Sequence, residues 1–164
     1  MGSSMNWPCK LISVVGTRLV RFETDKMGRC GTILLIGASG ETWEFDTLPI
    51  GTMFFVPKNP VHEGEPDGDY DGLGWPWYWS QDCYLSDYYR QNNSGRQPLL
   101  VILPPRTLFL VDGKCWKDGQ HYGGWTVTGE APLITIAPSI NIVGSYHGFL
   151  QNGVITADCE GRTY

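Results

Sequence analysis

Charge is scarce in this sequence. Asp, Glu, Lys and Arg make up 18% of its 164 residues, and the acids outnumber the bases to leave a net charge of −5. Affinity for nucleic acid is dominated by clustered Lys and Arg on phosphates, so this balance excludes a nucleic-acid partner. Long apolar runs are missing too: nothing approaches the ~20 residues that span a bilayer, and the N-terminus has no basic region leading into an apolar core. The expectation is a protein with no membrane partner that is soluble in the cytoplasm where it is made. Five cysteines occur, at positions 9, 30, 83, 115 and 159, but with no CxxC pair and no Cys/His ligand spacing. That removes a disulfide framework and a structural zinc site, and leaves reduced thiols. Neither an internal repeat nor a low-complexity tract is found.

Aromatics, by contrast, reach 13%, with 21 glycines and 11 prolines, a composition of many short strands joined by tight turns. The fold class expected is mainly β (α+β), in a single domain over 1–164. A chain of this length buries about 70% of its unfolded surface and needs no staple. Lys10 to Phe22 reads as a pair of short strands broken at Gly16-Thr17. Gly31 to Gly37 is a continuous apolar run suited to a strand buried on both faces, Glu41 to Thr47 alternates polar and apolar, and Gly51 to Val56 adds another strand. Leu99 to Leu103 and Thr107 to Val111 flank Pro104-Pro105. Beyond them, KCWKDGQHYGG reads as a glycine-bearing loop.

The segment 59–79 is too rich in glycine, proline and acids for regular structure and then turns densely aromatic. A long loop in a compact domain is usually functional or mobile. Within it, Asp67, Asp69 and Asp71 form a D-x-D-x-D-G run like the first half of a calcium loop, but Tyr78 stands where the bidentate glutamate belongs. Calcium at these aspartates is the one cofactor the sequence suggests; otherwise none is expected. Trp75, Trp77, Tyr78 and Trp79 offer a contact surface, because Trp and Tyr supply large area with few rotors; packing over the core is the plainer use. Ser80 to Asn93 is the single helix expected, with Ser80 or Ser86 as cap and Tyr84/Tyr88 and Leu85/Tyr89 on one face.

The stretch 123–157 carries the sharpest chemistry. Apolar runs at Pro132 to Ile140 and Tyr146 to Leu150 flank NIVGS, and Asn152-Gly153 is a hairpin-turn dipeptide, so a β-meander is expected. A first turn centred on Val143 would set Ser139 directly opposite His147, with Cβ atoms about 4.5–5.5 Å apart on one face. A serine hydroxyl becomes a nucleophile when a neighbouring imidazole accepts its proton. The plainer role for such a pair is a hydrogen bond that fixes the hairpin. The ring's other nitrogen needs an orienting group, for which the sequence offers Asp158, Glu130 or Asp112 without choosing among them; Asp158 is the working candidate. Backbone amides at Gly144, Gly148 and Gly153 could hold an oxyanion, although glycine in a hairpin has the plainer use of permitting the turn. His62 and His121 read as surface residues.

Val111-Asp112-Gly113, Gly124-Trp125-Thr126, Pro138-Ser139-Ile140, His147-Gly148-Phe149-Leu150 and Asn152-Gly153, together with WPCKL, WEFDTLP and YLSDYYR upstream, resemble a domain family of unknown function common in tailed phages and prophages. Its members are often labelled "ammonia monooxygenase", a name these residues give no reason to accept. The family's distant bacterial members resemble serine peptidases found beside ubiquitin-like conjugation genes. That resemblance implies a phage-encoded accessory protein with hydrolase activity, in which Ser139 and His147 are the reacting pair. The bacterial members' cysteine-dense segment has only Cys115 as counterpart here, so no metal role carries over. A different class of function is a non-catalytic virion component or host-factor binder that uses the aromatic and acidic loops. Partners are then expected to be proteins: virion neighbours, a host factor, or further copies of the chain.

Overall fold

A computed structural model describes residues 6–22, 30–57, 61–63, 99–111, 115–117, 120–122 and 126–164. The acidic run Asp67, Asp69 and Asp71, the aromatic cluster Trp75, Trp77, Tyr78 and Trp79, Asp112 and the helix expected over Ser80 to Asn93 lie outside these residues. The fold is mainly β, as the composition implies. In chain order the strands are β1 (Trp7–Pro8), β2 (Lys10–Leu11), β3 (Val14–Phe22), β4 (Cys30–Gly37) and β5 (Thr42–Glu44). They continue with β6 (Thr52–Phe55), β7 (Val61–Glu63), β8 (Leu99–Leu103), β9 (Thr107–Leu110) and β10 (Cys115–Lys117). The last are β11 (Gln120–Tyr122), β12 (Thr126–Thr128), β13 (Thr135–Ile142), β14 (Tyr146–Gln151) and β15 (Val154–Ile155).

The described chain divides into two compact units. One is made of the residues up to Ile12, Pro49–Phe54 and everything from Leu99 onward; the other runs from Ser13 to Leu48 and from Phe55 to Glu63.

In the second unit the sheet order is β5-β4-β3-β7. Gly16 does not break the chain as expected. It lies inside β3, where an added Cβ would stand 2.0 Å from the Val61 carbonyl oxygen. Its lack of a side chain admits β7, which pairs with β3 in parallel at Gly16↔Val61. The residues Val61–Glu63, expected in an irregular loop, are therefore a strand. Arg18 Nε donates to Glu63 Oε2 at 2.6 Å across that pair, an exposed contact that adds little. Strand β4 fills the expected apolar run; Leu35, Ile36 and Gly37 are buried, whereas Thr32 to Leu34 are half-covered. The alternating segment after it stops pairing at Glu44 and winds into a 3-10 turn over Phe45–Thr47, where Thr47 Oγ1 donates to the Glu44 carbonyl at 3.2 Å. A threonine that bonds its own chain this way competes with the ladder.

The first unit holds two larger sheets and a hairpin. β2-β6-β8-β9 form one sheet, with β2 parallel to β6, and every residue of β8 is buried. The other sheet has the order β1-β15-β14-β13-β12, with antiparallel neighbours throughout. Ile134, Ile136, Ile140, Tyr146, Leu150 and Ile155 supply its buried side, each at most 2% exposed. Strands β10 and β11 pair as a hairpin where a glycine-bearing loop was expected; Asp118-Gly119, the dipeptide between them, is itself a hairpin-turn signal.

Candidate active site on the β13–β14 hairpin

Alternation decides which side chains face out. Along β14, Tyr146, Gly148 and Leu150 are buried while His147, Phe149 and Gln151 are not. Along β13, Ile136 and Ile140 go into the core and Ser139 and Asn141 go outward. Residues of period two share a face, so Ser139 and His147 are delivered to the same outer surface.

The pairing that brings them together differs from the expected one. The turn is centred on Gly144, at φ +79, and is closed by Ser145 N–H donating to the Ile142 carbonyl at 2.9 Å. A positive φ at that third turn position belongs to glycine. The tip of the hairpin then pairs Ile142 with Tyr146 and Asn141, not Ser139, with His147. Lower down, Ile136 pairs with Leu150 and Ile140 with Gly148, so Ala137, Pro138 and Ser139 face Phe149 alone. This is a bulge, a device that re-aims a side chain and recurs beside active sites. It swings Ser139 back toward the tip, and Ser139 Oγ lies 3.3 Å from His147 Nε2. The histidine side chain keeps 31% of its surface exposed, so the pair is in contact without being sealed off.

On the other side of β14 the second hairpin is regular. Asn152 and Gly153 both have positive φ, +46 and +75, as a type I′ turn requires, and Gln151 pairs with Val154 and Leu150 with Ile155. The chain continues beside β14 past the end of β15. Phe149 and Thr156 exchange bonds, the Phe149 amide reaching Thr156 Oγ1 at 2.9 Å and the Thr156 amide reaching the Phe149 carbonyl at 2.9 Å. Cys159 N–H then donates to the His147 carbonyl at 2.6 Å. This run sets Asp158, Glu160 and Arg162 around the histidine.

Asp158 does not meet the imidazole, contrary to the working candidate. Its side chain is fully covered, and Oδ2 accepts from the His147 main-chain amide at 3.2 Å, from Arg162 Nη1 at 2.9 Å and from the Tyr164 hydroxyl at 2.7 Å, while Oδ1 accepts from the Glu160 amide at 2.6 Å. A buried carboxylate seeks such donors because an unpaired one is costly. Burial alone would raise its pKa, but the Tyr164 hydroxyl, the two amides and the guanidinium together hold it well below the usual carboxylate range. The Arg162 guanidinium is pushed up in turn, chiefly by its bond to Asp158. The Tyr164 hydroxyl also lies against the Ser145 carbonyl, so that its single proton is shared between that oxygen and Asp158, and its ring meets Trp7 edge-on with centroids 6.1 Å apart.

Among the described residues, the carboxylate in contact with the ring is Glu160, which the sequence reasoning missed. Its Oε2 lies 3.6 Å from His147 Nδ1 and 3.2 Å from Arg162 Nη2. The first distance is longer than a hydrogen bond and is an ion pair only when the ring is protonated. The signal was present in Asn152-Gly153: a two-residue turn fixes a register that carries residues 158–160 alongside His147. Glu130 is exposed at the start of the turn before β13, where its carbonyl accepts from the Leu133 amide at 2.8 Å.

Gly144 sits at the open tip, with nothing within 4 Å of an added Cβ, whereas Gly148 lies under Tyr146, whose hydroxyl would be 2.1 Å from such an atom. That hydroxyl donates to the Thr156 carbonyl at 2.8 Å, and burial pushes the phenol up to about 12. Cys9 and Cys159 are free thiols; burial pushes Cys9 up to about 11.

The chain matches no family model, no curated protein and no solved structure. Among the described residues, no group of three or more His, Cys, Asp and Glu could hold a metal ion, and no helix is long and apolar enough to cross a membrane.

Proposed function

We propose that this chain is a phage-encoded, Ser/His-dependent hydrolase of amide or ester bonds, peptidase-like in chemistry and acting in the host cytoplasm. The contact that carries the reading is Ser139 Oγ at 3.3 Å from Nε2 of a half-exposed histidine. Catalytic hydrogen bonds in a free enzyme are often longer than in its complexes, so this separation suits a resting pair.

In the reaction the Ser139 oxygen adds to the substrate carbonyl carbon while Nε2 accepts the hydroxyl proton. The imidazolium returns that proton to the leaving amine or alcohol as the acyl C–N or C–O bond breaks. Water then attacks the acyl-serine with His147 again as base, releasing the acid and restoring the hydroxyl. Within Gly144 to Gly148 the amides of Ser145 and His147 already serve the Ile142 carbonyl and Asp158. The oxyanion is therefore assigned to the Gly144 amide at the open tip, because Gly148 is buried beneath Tyr146 and paired with Ile140 in the ladder.

A fluorophosphonate probe tests the reading. Wild-type protein is expected to take one label at Ser139, and His147→Ala to label on the order of 10²-fold more slowly, the usual size of a lost general base. No uptake by intact protein, or equal uptake by Ser139→Ala, would return the pair to a structural hydrogen bond.

A further inference from the structure

We infer that Glu160, held in place by Arg162 and the buried Asp158, is the positioning residue for His147, and that the chain from Asp158 to Arg162 is a built support for the imidazole. This rests on the hydrolase reading for its purpose, though not for its geometry. For Nε2 to accept a proton from Ser139, the neutral ring must carry its own proton on Nδ1. A negative carboxylate 3.6 Å from Nδ1 favours a proton on that nitrogen electrostatically, without a hydrogen bond at this separation.

Three observations single out Glu160. Its Oε2 is 3.6 Å from Nδ1, on the opposite side of the ring from the Ser139 contact at Nε2. Its main-chain amide is fixed by Asp158 Oδ1 at 2.6 Å, and its carboxylate by Arg162 Nη2 at 3.2 Å. The same Arg162 spans both acids through separate nitrogens, Nη1 on Asp158 and Nη2 on Glu160. A planar guanidinium is suited to such a two-pronged hold, which a lysine point charge cannot reproduce. Asp158 in turn fixes the histidine's own backbone amide, and the Cys159 amide fixes its carbonyl. The titratable groups around the ring are thus Glu160 at Nδ1, with Asp158, Arg162 and Tyr164 behind it.

The arrangement accounts for both acids. The buried one cannot serve the ring because its oxygens are occupied by donors. The half-exposed one, steered by arginine, can approach as the imidazole gains charge.

Nitrogen-15 NMR of the histidine side chains reads this independently of any activity, with His147 assigned by the loss of its signals in His147→Gln. At a pH where the ring is neutral, wild-type protein is expected to show Nδ1 as the protonated nitrogen. Glu160→Ala should shift the majority to Nε2–H, and Glu160→Gln, which keeps the size, should move the same way. Arg162→Gln should lower the Nδ1–H share by a smaller amount, and Arg162→Lys should restore only part of it. In parallel, fluorophosphonate labelling should slow on the order of 10²-fold in Glu160→Ala. The Glu160 side chain is half-exposed, so its variants should keep the wild-type backbone spectrum. Wild-type Nε2–H, or a tautomer unmoved by Glu160→Ala, would overturn the assignment. An Nδ1–H that is lost in Glu160→Ala supports it even where Ser139 takes no label, an outcome that defeats the hydrolase reading alone.

Discussion

Strand β14 takes part in two hairpins of opposite character. Toward β15 the pairing is regular, closed by Asn152 and Gly153 in left-handed backbone, with residues directly opposed on either side. Toward β13 it slips between Ile136 and Ile140 and closes over a looser turn at Gly144. The regular side fixes the histidine's main chain through Asp158 and Cys159; the irregular side delivers the serine. Order on one flank lets a deviation on the other hold a defined position.

The comparison can be broken most severely at Asp158. Asp158→Ala removes the acceptor of four donors and leaves the His147 and Glu160 amides without their partner, a loss on the order of 3 kcal/mol in urea-induced unfolding. Next come the turn glycines. Gly153→Ala must adopt φ +75 and also place a methyl 2.7 Å from the Pro132 carbonyl oxygen, so about 2 kcal/mol is expected. Gly144→Ala faces a similar φ of +79 in open space and should cost about 1 kcal/mol. Equal losses at the two glycines would remove the distinction between a seated turn and a free one.

A smaller effect sharpens it through pH. Asp158 has a folded-state pKa depressed below its unfolded value, so its contribution to stability is fully present above the ordinary carboxylate range near pH 4 and is lost as pH falls through the folded value. Stability measured from pH 5 downward should therefore decline in wild-type protein, and decline less in Asp158→Asn. A parallel decline in both would show that other carboxylates carry the acid sensitivity.

Much of this hairpin pair was legible from residues alone, for uneven reasons. Asn-Gly specifies its turn through backbone sterics, which are local, so β14–β15 could be read directly. The meeting of Ser139 and His147 was read from a turn centred on Val143. The turn is at Gly144, which puts Asn141 across from the histidine, and the bulge at Ala137 to Ser139 then restores the contact. The local signal for that bulge is Pro138, which has no N–H to give a ladder and within a paired strand belongs at a bulge. The orienting acid stays open in the sequence among Asp158, Glu130 and Asp112 for another reason: Asp158 lies in the right place along the chain, and only the fold shows that its oxygens are occupied by four donors. Gly16 reads as a break in the sequence because a glycine's context does not say whether its missing side chain frees the backbone or admits a neighbouring strand. The approach of Val61 answers that only in three dimensions.

Tyr146 and Gly148 carry a consequence for how this hairpin can vary. The phenol lies where a side chain at 148 would have to go, and its hydroxyl is tied to the Thr156 carbonyl beyond. The constraint therefore runs one way: a residue larger than glycine at 148 must displace that phenol or meet a smaller residue at 146, whereas a smaller residue at 146 leaves Gly148 undisturbed.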